Sequence, residues 1–136
     1  MIYVQKYHFY QFPGGGIEEN ETHLETLTRE IKEETGMMLI PDSVKEFGEV
    51  LKIQNGYWVG DHTIHVQQNF YYTCKVDGAV EKPNLDDGEK ALGLVLKFVP
   101  IKEAIHANAM FKSDDQFLKQ IAEREKRVLE LLQSTQ

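Results

Sequence analysis

Hydrophobic and polar residues alternate with a short period in four stretches of the chain, and this pattern predicts strands. The stretches are rich in β-branched and aromatic residues, which suit a pleated surface that is buried on one side. They cover residues 1–12, about 45–54, about 63–76 and about 91–99. Asn55-Gly56 and Gly60-Asp61 predict the turn between the second and third strands. Residues 77–90 are polar and contain glycine and proline, so they predict a loop.

Three other segments carry the features of helices. The first begins near Thr22, which has the capping-box spacing to Glu25, and it ends at Gly36, where glycine accepts a left-handed conformation. Residues 101–108 predict a short helix. The last segment follows Ser113-Asp-Asp-Gln116 and repeats apolar residues at helical spacing. We expect that last helix to pack on a core, with binding of a partner as the alternative.

The composition predicts a single domain. The chain has 136 residues, 41% of them hydrophobic, and a chain of this length can form a core without disulfides or metals. Interleaved strands and helices over residues 1–136 predict the α/β class. No apolar stretch approaches the ~20 residues of a membrane span, and the first residues lack the features of a signal peptide. Because the single Cys74 suits a reducing compartment, we expect a cytoplasmic protein.

The negative charge of the chain is concentrated in one segment. The chain has 22 acidic and 15 basic residues, a net charge of −7. Residues 17–36 hold seven of the acids and two of the bases, and so account for five of the seven net charges. An acidic chain without basic clusters is not expected to bind polynucleotides or anionic membranes. A local acidic cluster indicates either a solvated helix surface or a site for a cation.

Three glutamates of the acidic segment share one side of the first predicted helix. At 100° per residue, Glu30, Glu33 and Glu34 fall within an arc of about 100°. The apolar stripe that includes Leu27 and Ile31 adjoins this arc, so the carboxylates lie at the margin of the buried face. Like charges four residues apart repel each other, and Mg²⁺ would relieve the repulsion. The spacing leaves both interpretations open.

A glycine-rich segment directly precedes this helix. Residues 12–17 have the sequence Phe-Pro-Gly-Gly-Gly-Ile. Glycine lets the backbone approach a ligand closely, so Gly15 is a candidate for contact with a substrate. The alternative is a glycine-rich turn without a ligand.

The glycine-rich segment and the acidic helix together form one long motif. It runs from Gly15 through Glu21 to Arg29-Glu30-Ile31-Lys32-Glu33-Glu34-Thr35-Gly36-Met37 and matches every fixed position of the Nudix box. The sequence therefore resembles the Nudix hydrolase family. The resemblance implies a Nudix-like α/β/α sandwich with a mixed β-sheet. It also implies divalent-cation-dependent hydrolysis of the pyrophosphate bond in a nucleoside diphosphate linked to another moiety.

The resemblance assigns a cofactor, a partner and residue roles. The expected cofactor is Mg²⁺, with Mn²⁺ as a substitute, and the expected partner is a small-molecule nucleotide or nucleoside diphosphate derivative. Glu34 is the first choice as metal ligand, and Glu30 is expected to be a ligand or the base. By the resemblance, Glu30, Glu33 and Glu34 bind the metal and provide the base, and the Gly14 carbonyl is a further metal ligand. Arg29 is expected to orient the acidic residues. Glu21 is expected to support the loop, and Gly36 to end the helix.

Residues outside the motif are candidates for substrate binding. Glu89 resembles the further carboxylate that many family members supply from a later loop, although a solvated loop charge is the alternative. Lys6 lies where a lysine could meet phosphate, and Tyr7 or Tyr10 could stack on a base. Ordinary packing within a strand is the alternative for these three residues.

The part of the chain before the motif is short for this family. Only 14 residues precede Gly15, whereas the family has an additional strand and turn at this place. We therefore expect the N-terminal strand to be missing or shortened. A sheet edge exposed in this way could pair with a second copy and form a homodimer.

Two other classes of function remain as alternatives. One is a non-catalytic Nudix-like sensor that binds a nucleotide, and the other is an interaction module that uses the last helix. The complete set of motif residues and the absence of a basic DNA-binding appendage argue against the sensor. The downstream residues carry no convincing version of the family's Pro or Tyr markers for particular substrates, so no single substrate is predicted.

Overall fold

The computed structural model describes residues 1–55, 63–78 and 81–136. The predicted turn residues Gly56 and Gly60-Asp61 lie outside the described residues. The described strands are β1 (Ile2–Val4), β2 (Phe9–Gln11), β3 (Met38–Leu39), β4 (Lys45–Asn55), β5 (Ile64–Thr73), β6 (Val76–Asp77) and β7 (Leu94–Leu96). The described helices are α1 (His23–Thr35), α2 (Asp87–Leu92), α3 (Ile101–Met110) and α4 (Gln116–Ser134), with a 3₁₀ turn at Pro41–Ser43.

Strands and helices alternate along the chain, which confirms the predicted α/β class. By their contacts, the described residues divide into two compact units, one of residues 1–39 with 76–136 and one of residues 40–75. The described strands form three sheets in the orders β2-β1-β7, β3-β6 and β4-β5. Where the resemblance implied one mixed sheet, these pairs are all antiparallel, an arrangement that short connections can join. The single domain stays a prediction.

The first twelve residues form two strands and not the single strand that their alternation predicted. In the turn between β1 and β2, the amides of Tyr7 and His8 both donate to the Val4 carbonyl, at 3.2 and 2.8 Å. His8 adopts a φ of 61°, a left-handed conformation that histidine enters more readily than most residues. The turn lacks glycine and proline, so no residue type in this segment predicts it. β1 has three residues and lies where the resemblance predicts a missing or shortened strand, so a strand is present and its shortening stays a prediction.

The outer edge of β2 is covered by a side chain of α3. The Tyr10 amide donates to Asn108 Oδ1 at 2.8 Å, and Asn108 Nδ2 donates to the Tyr10 carbonyl at 2.8 Å. The side-chain amide of Asn108 thus provides the acceptor and the donor that a neighbouring strand would provide. A strand edge occupied in this way is a poor template for pairing with a second copy. The homodimer therefore has no support at this edge and stays a prediction.

Two groups of buried side chains join the three-stranded sheet to the helices. The first group contains residues of β1, β2, β7 and α4, and the second contains residues of β2, α3 and α4. Contacts of α4 with both groups confirm that its apolar stripe packs on a core. No helix in the described residues is long and apolar enough to cross a membrane. The groups are Ile2, Val4, Phe9, Leu94 and Ala122, and Tyr10, Ala104 and Leu129.

The loop predicted over residues 77–90 is wrong at its end, where helix α2 begins at Asp87. The Asp86 side chain accepts from the Glu89 amide, and the Glu89 carboxylate accepts from the Asp86 amide, both at 2.8 Å. This is a capping box, and its Asp-x-x-Glu spacing is present in the sequence. The polar composition and the glycine in the first turn concealed it. The described residues therefore contain four α-helices, where three were predicted.

The unit of residues 40–75 consists mainly of two long antiparallel strands. β4 and β5 pair from Lys45 with Thr73 to Asn55 with Ile64, and the register shifts at a bulge between Glu46 and Gly48. These strands confirm the prediction for residues 45–54 and most of that for residues 63–76. The end of the latter stretch differs, because β5 stops at Thr73 and β6 is a separate strand that pairs with β3.

Candidate active site

Helix α1 carries the three predicted carboxylates and begins and ends where the sequence predicted. Thr22 accepts a hydrogen bond from the Glu25 amide at 3.2 Å at the start. Gly36 ends the helix with a φ of 72°, the left-handed conformation that glycine adopts without steric cost. Glu30 and Glu34 lie four residues apart, so they project from the same side of the helix.

Glu30 and Glu34 are part of the buried face of α1. They are 7% and 4% exposed, whereas the Glu33 side chain is 40% exposed. The helical spacing of 100° per residue predicts the three carboxylates only at the margin of this face. Burial of charged residues without an obvious structural need is typical of a functional site. The buried residues of α1 are Thr26, Glu30, Ile31, Glu34 and Thr35.

Arg29 connects the carboxylates to the glycine-rich loop. Its Nε and Nη2 donate to the two carboxylate oxygens of Glu21, at 2.7 and 2.9 Å. Its Nη1 donates to Glu30 Oε1 at 2.6 Å and to Glu33 Oε2 at 3.4 Å. Nη2 also donates to the Gly16 carbonyl at 3.0 Å. Because the guanidinium presents its donors in a rigid plane, one side chain fixes the orientation of several acceptors. An orienting role for Arg29 requires contacts of this kind.

Glu21 is the most strongly bound partner of Arg29. It also accepts hydrogen bonds from the Thr26 hydroxyl at 2.7 Å and from the Glu18 amide at 3.0 Å. The hydrogen bonds from Arg29, and next those from the Glu18 amide and Thr26, lower the pKa of Glu21 to about 2. The hydrogen bonds between Arg29 and Glu21 are also the main cause of the raised pKa of Arg29. The pair therefore stays ionised and holds the loop on the helix throughout the physiological pH range.

The glycine-rich loop lies directly against the two buried carboxylates. The Gly14 amide donates to Glu34 Oε2 at 3.1 Å. A Cβ on Gly15 would overlap the carboxylate of Glu30, whereas a Cβ on Gly16 would meet no atom within 4 Å. Glycine at position 15 is therefore needed for the close approach of the backbone to the site. The group of Gly14 seen in contact with a carboxylate is its amide, and metal binding by its carbonyl stays a prediction.

Burial makes Glu34 and Glu30 difficult to ionise. Burial raises the pKa of Glu34 to about 8, and the charges of Glu30, Glu89 and Glu33 add to the rise, against a hydrogen bond from the loop. Burial also raises the pKa of Glu30, although Arg29 acts in the opposite direction. Negative charge in this buried place is thus only partly compensated. A bound cation would favour the ionised form of both carboxylates.

A surface pocket opens beside Arg29. One wall belongs to the segment before α2, whose backbone is bound to the end of α1. The Asn84 amide donates to the Glu33 carbonyl at 2.7 Å, and the Glu81 amide donates to the Gly36 carbonyl at 3.0 Å. The sequence does not predict this wall, because a polar composition does not show that a segment folds back on a helix end. The pocket is lined by Gly16, Glu18, Arg29, Glu30, Glu33, Asn84, Leu85, Asp86 and Glu89.

Of the predicted residues outside the motif, Glu89 lines this pocket and Lys6 and Tyr10 do not. Tyr10 is 4% exposed in the core. The prediction that Tyr10 could stack on a base is therefore wrong, because the ring is inaccessible to a ligand. Lys6 lies in the turn between β1 and β2, with its ammonium 5.4 Å from the centre of the Tyr7 ring. The structure therefore does not bring Lys6 to the carboxylates.

The carboxylates suit a magnesium ion although they do not form a complete cage. Within the described ranges, no group of three or more His, Cys, Asp and Glu side chains is arranged to hold a metal ion. Mg²⁺ does not need such a group, because it binds through one or two carboxylates and completes its octahedron with water and substrate phosphate. Glu30 and Glu34 supply hard oxygen donors beside a pocket in which negative charge is in excess. This donor set fits the ion that the resemblance implied.

Comparisons with known proteins support the motif. The family model of the NUDIX domain matches residues 2–121, which is most of the chain and extends well beyond the box itself. Neither the curated proteins nor the solved structures gave a match.

Proposed function

The chain belongs to the Nudix family, and on this premise we propose that it is a pyrophosphohydrolase that uses Mg²⁺ to cleave a nucleoside diphosphate linked to another moiety. Family membership supports hydrolysis of nucleoside diphosphate derivatives in general. The proposal adds the pyrophosphate bond, the metal and the residue roles. It also includes Mn²⁺ as a substitute, since Mn²⁺ accepts the same oxygen ligands, and a cytoplasmic location, since the single cysteine suits a reducing compartment.

The observation that carries the proposal is the buried pair Glu30 and Glu34 beneath the glycine-rich loop. Both carboxylates have a pKa raised by burial, so in the protein alone their ionised forms are disfavoured. A protein of marginal stability gains nothing from such a pair unless a cation binds there. The close approach of Gly15 to Glu30 and the hydrogen bond from the Gly14 amide to Glu34 bring the loop backbone against both carboxylates, which supports a ligand site there.

Each residue of the site has a proposed role. When bound, Mg²⁺ would neutralise phosphate charge and lower the pKa of a bound water. Glu34 and Glu30 bind the ion. Glu30 also accepts the proton of the attacking water, since it lines the pocket, whereas Glu34 does not. Arg29 holds Glu30 and Glu33 in place, and Glu21 holds Arg29.

The charge of the pocket favours a substrate that arrives together with a metal. Among the described residues that line it, five are acidic and one, Arg29, is basic. A free pyrophosphate would be repelled by this surface, whereas a magnesium-bound pyrophosphate carries less negative charge. The same argument disfavours a polynucleotide, which needs several cations along its backbone.

The proposal is tested by incubating the protein with a panel of nucleoside di- and triphosphates, sugar nucleotides and dinucleotides. Products are separated by liquid chromatography and identified by ³¹P NMR. We expect turnover with Mg²⁺ or Mn²⁺ and none with a chelator. Glu30→Gln should lower kcat by ~10²–10⁴-fold, as expected for loss of a general base. The exposed Glu19→Gln is the matched control and should keep the wild-type rate.

The panel also separates the proposal from the nucleotide sensor. Cleavage of no compound in the presence of either metal would contradict the hydrolase, as would a Glu34→Gln variant that is as fast as the wild type. Calorimetric binding of a nucleotide without turnover would instead support the sensor.

A further inference from the structure

Helix α4 carries a glutamate in the middle of its buried face. Glu125 is 2% exposed, and it is the only charged residue among the buried residues of this helix. A carboxylate in such a place is strongly destabilising unless hydrogen bonds compensate for the loss of water. The helix would pack with an apolar residue at this position, as it does at Ala122 and Val128. Another requirement must therefore explain the glutamate.

The carboxylate of Glu125 binds the backbone directly before the glycine-rich loop. Its Oε2 accepts from the Phe12 amide at 2.8 Å, and its Oε1 accepts from Arg124 Nε at 2.8 Å. Both oxygens are therefore used as acceptors. Phe12 and Glu125 are 113 residues apart in the sequence. The contact connects the last helix to the start of the loop.

The chain between Phe12 and the active site has little freedom. Pro13 follows Phe12, and its ring fixes its own φ and restricts the residue before it to extended conformations. The next residue, Gly14, donates its amide to Glu34, and Gly15 lies against Glu30. Two residues span at most ~7 Å. A change in the position of the Phe12 amide is thus transmitted to the carboxylates.

A second side chain, that of Asn108, binds the backbone two residues before Phe12, at Tyr10. Asn108 of α3 binds both the amide and the carbonyl of Tyr10. The backbone of Tyr10 in β2 is therefore bound by α3, and the amide of Phe12, directly after β2, is bound by α4. The end of β2 is held from outside the sheet, as well as by its pairing with β1.

We propose that Glu125 is a positioning residue for the active site, which holds the Phe12 amide and so places Gly14 against Glu34 and Gly15 against Glu30. For turnover, this inference rests on the proposed function. The effect on the loop itself does not depend on any activity. The two can therefore be tested separately.

The test uses the full chain and three variants. Glu125→Met keeps a similar volume and good helix propensity but provides no acceptor for the Phe12 amide. Glu125→Gln keeps one acceptor, for which Phe12 and Arg124 compete. Glu130→Gln makes the same chemical change at an exposed position of the same helix and is the matched control. Circular dichroism and thermal unfolding confirm that each variant is folded.

Two readouts need no substrate. In metal-free protein, amide hydrogen exchange at Gly14, measured by NMR, should be about tenfold or more faster in E125M. The affinity for Mn²⁺ alone, measured by calorimetry, should fall by ~10–100-fold, as for loss of a residue that orients metal ligands. E125Q should give intermediate values, and E130Q should equal the wild type.

A third readout applies to any compound of the panel that is cleaved. E125M should lower kcat by ~10–100-fold, since a small misplacement of catalytic groups has such an effect, while KM changes by less than about threefold. General destabilisation would not lower kcat selectively in a variant that is fully folded at the assay temperature.

The outcomes distinguish the two proposals. Wild-type exchange at Gly14 and wild-type Mn²⁺ affinity in E125M would overturn the positioning role, even if the protein is an active hydrolase. If E125M does not fold, wild-type values in E125Q would overturn it equally. Faster exchange and weaker Mn²⁺ binding, in a protein that cleaves no compound, would support the positioning role and reject the hydrolase.

Discussion

Glu34 offers a direct test of the balance of charge in the candidate active site. It is 4% exposed and lies among other carboxylates, and burial is the main cause that raises its pKa to about 8 from the ordinary value of 4.5. The perturbation is Glu34→Gln, which removes the ionisable group and keeps an oxygen that can accept the hydrogen bond of the Gly14 amide.

The magnitude follows from the difference between the two pKa values. The folded protein binds the Glu34 proton more tightly than the unfolded chain does, so unfolding releases a proton between pH 4.5 and about 8. Rising pH therefore favours the unfolded state over this interval. Each pKa unit corresponds to about 1.4 kcal/mol, so the metal-free protein loses on the order of 5 kcal/mol of unfolding free energy. This is a large part of the ~5–15 kcal/mol that stabilises a typical domain.

The assay is equilibrium unfolding in urea, followed by circular dichroism at several pH values from 4 to 9 with a chelator present. The wild type and Glu34→Gln should have similar free energies of unfolding near pH 4, and the variant should be the more stable of the two above pH 8. Glu19→Gln, an exposed glutamate, should follow the wild type at every pH. Mg²⁺ at 100 times its Kd should restore about 2.7 kcal/mol to the wild type at high pH.

One result would refute this reasoning. If the curves of the wild type and Glu34→Gln run parallel from pH 4 to 9 in the metal-free protein, burial of Glu34 does not disfavour its ionised form. If Mg²⁺ stabilises Glu34→Gln at pH 8 as much as it stabilises the wild type, Glu34 is not a ligand of the ion.

Two further predictions concern the loop and the arginine. Gly15→Ala should lower metal-dependent hydrolysis by about 10²-fold or more, because the added Cβ would overlap the Glu30 carboxylate. Gly48→Ala, where a Cβ meets no atom within 4 Å, should leave steady-state kinetics unchanged, and equal rates in both variants would contradict the close packing. Arg29→Lys should raise the pKa of Glu21 from about 2 towards 4.5, since an ammonium cannot donate two parallel hydrogen bonds. A ¹³C NMR titration of the carboxyl group measures this, and an unchanged value would show that other hydrogen bonds set the pKa.

The active-site helix could be predicted almost completely from the sequence because its determinants are local. Thr22 and Gly36 lie within one turn of the ends that they define. The spacing of Glu30, Glu33 and Glu34 follows from the period of the helix. Interactions between neighbours in the sequence need no knowledge of the rest of the fold.

Errors in the sequence analysis arose where contacts between distant segments decide the outcome. Tyr10 has an aromatic ring that could stack on a base, but residues of α3 and α4 pack against it. Glu125 interrupts the apolar stripe of α4, and this interruption is visible in the sequence. Its partner, the Phe12 amide, is not visible, because it is 113 residues away. The segment before α2 is similarly unremarkable until its amides meet the end of α1.

The sequence by itself determined the family, the α/β class and the set of carboxylates, because these depend on residue types at fixed short spacings. The tertiary structure decided which carboxylates are buried and how the glycine-rich loop is held against them. Burial depends on the surfaces that distant elements bring together, and burial is the main cause of the raised pKa of Glu34. The negative charge of the chain was thus visible in the sequence, but only packing buried part of it, at the place where we propose that a metal ion binds.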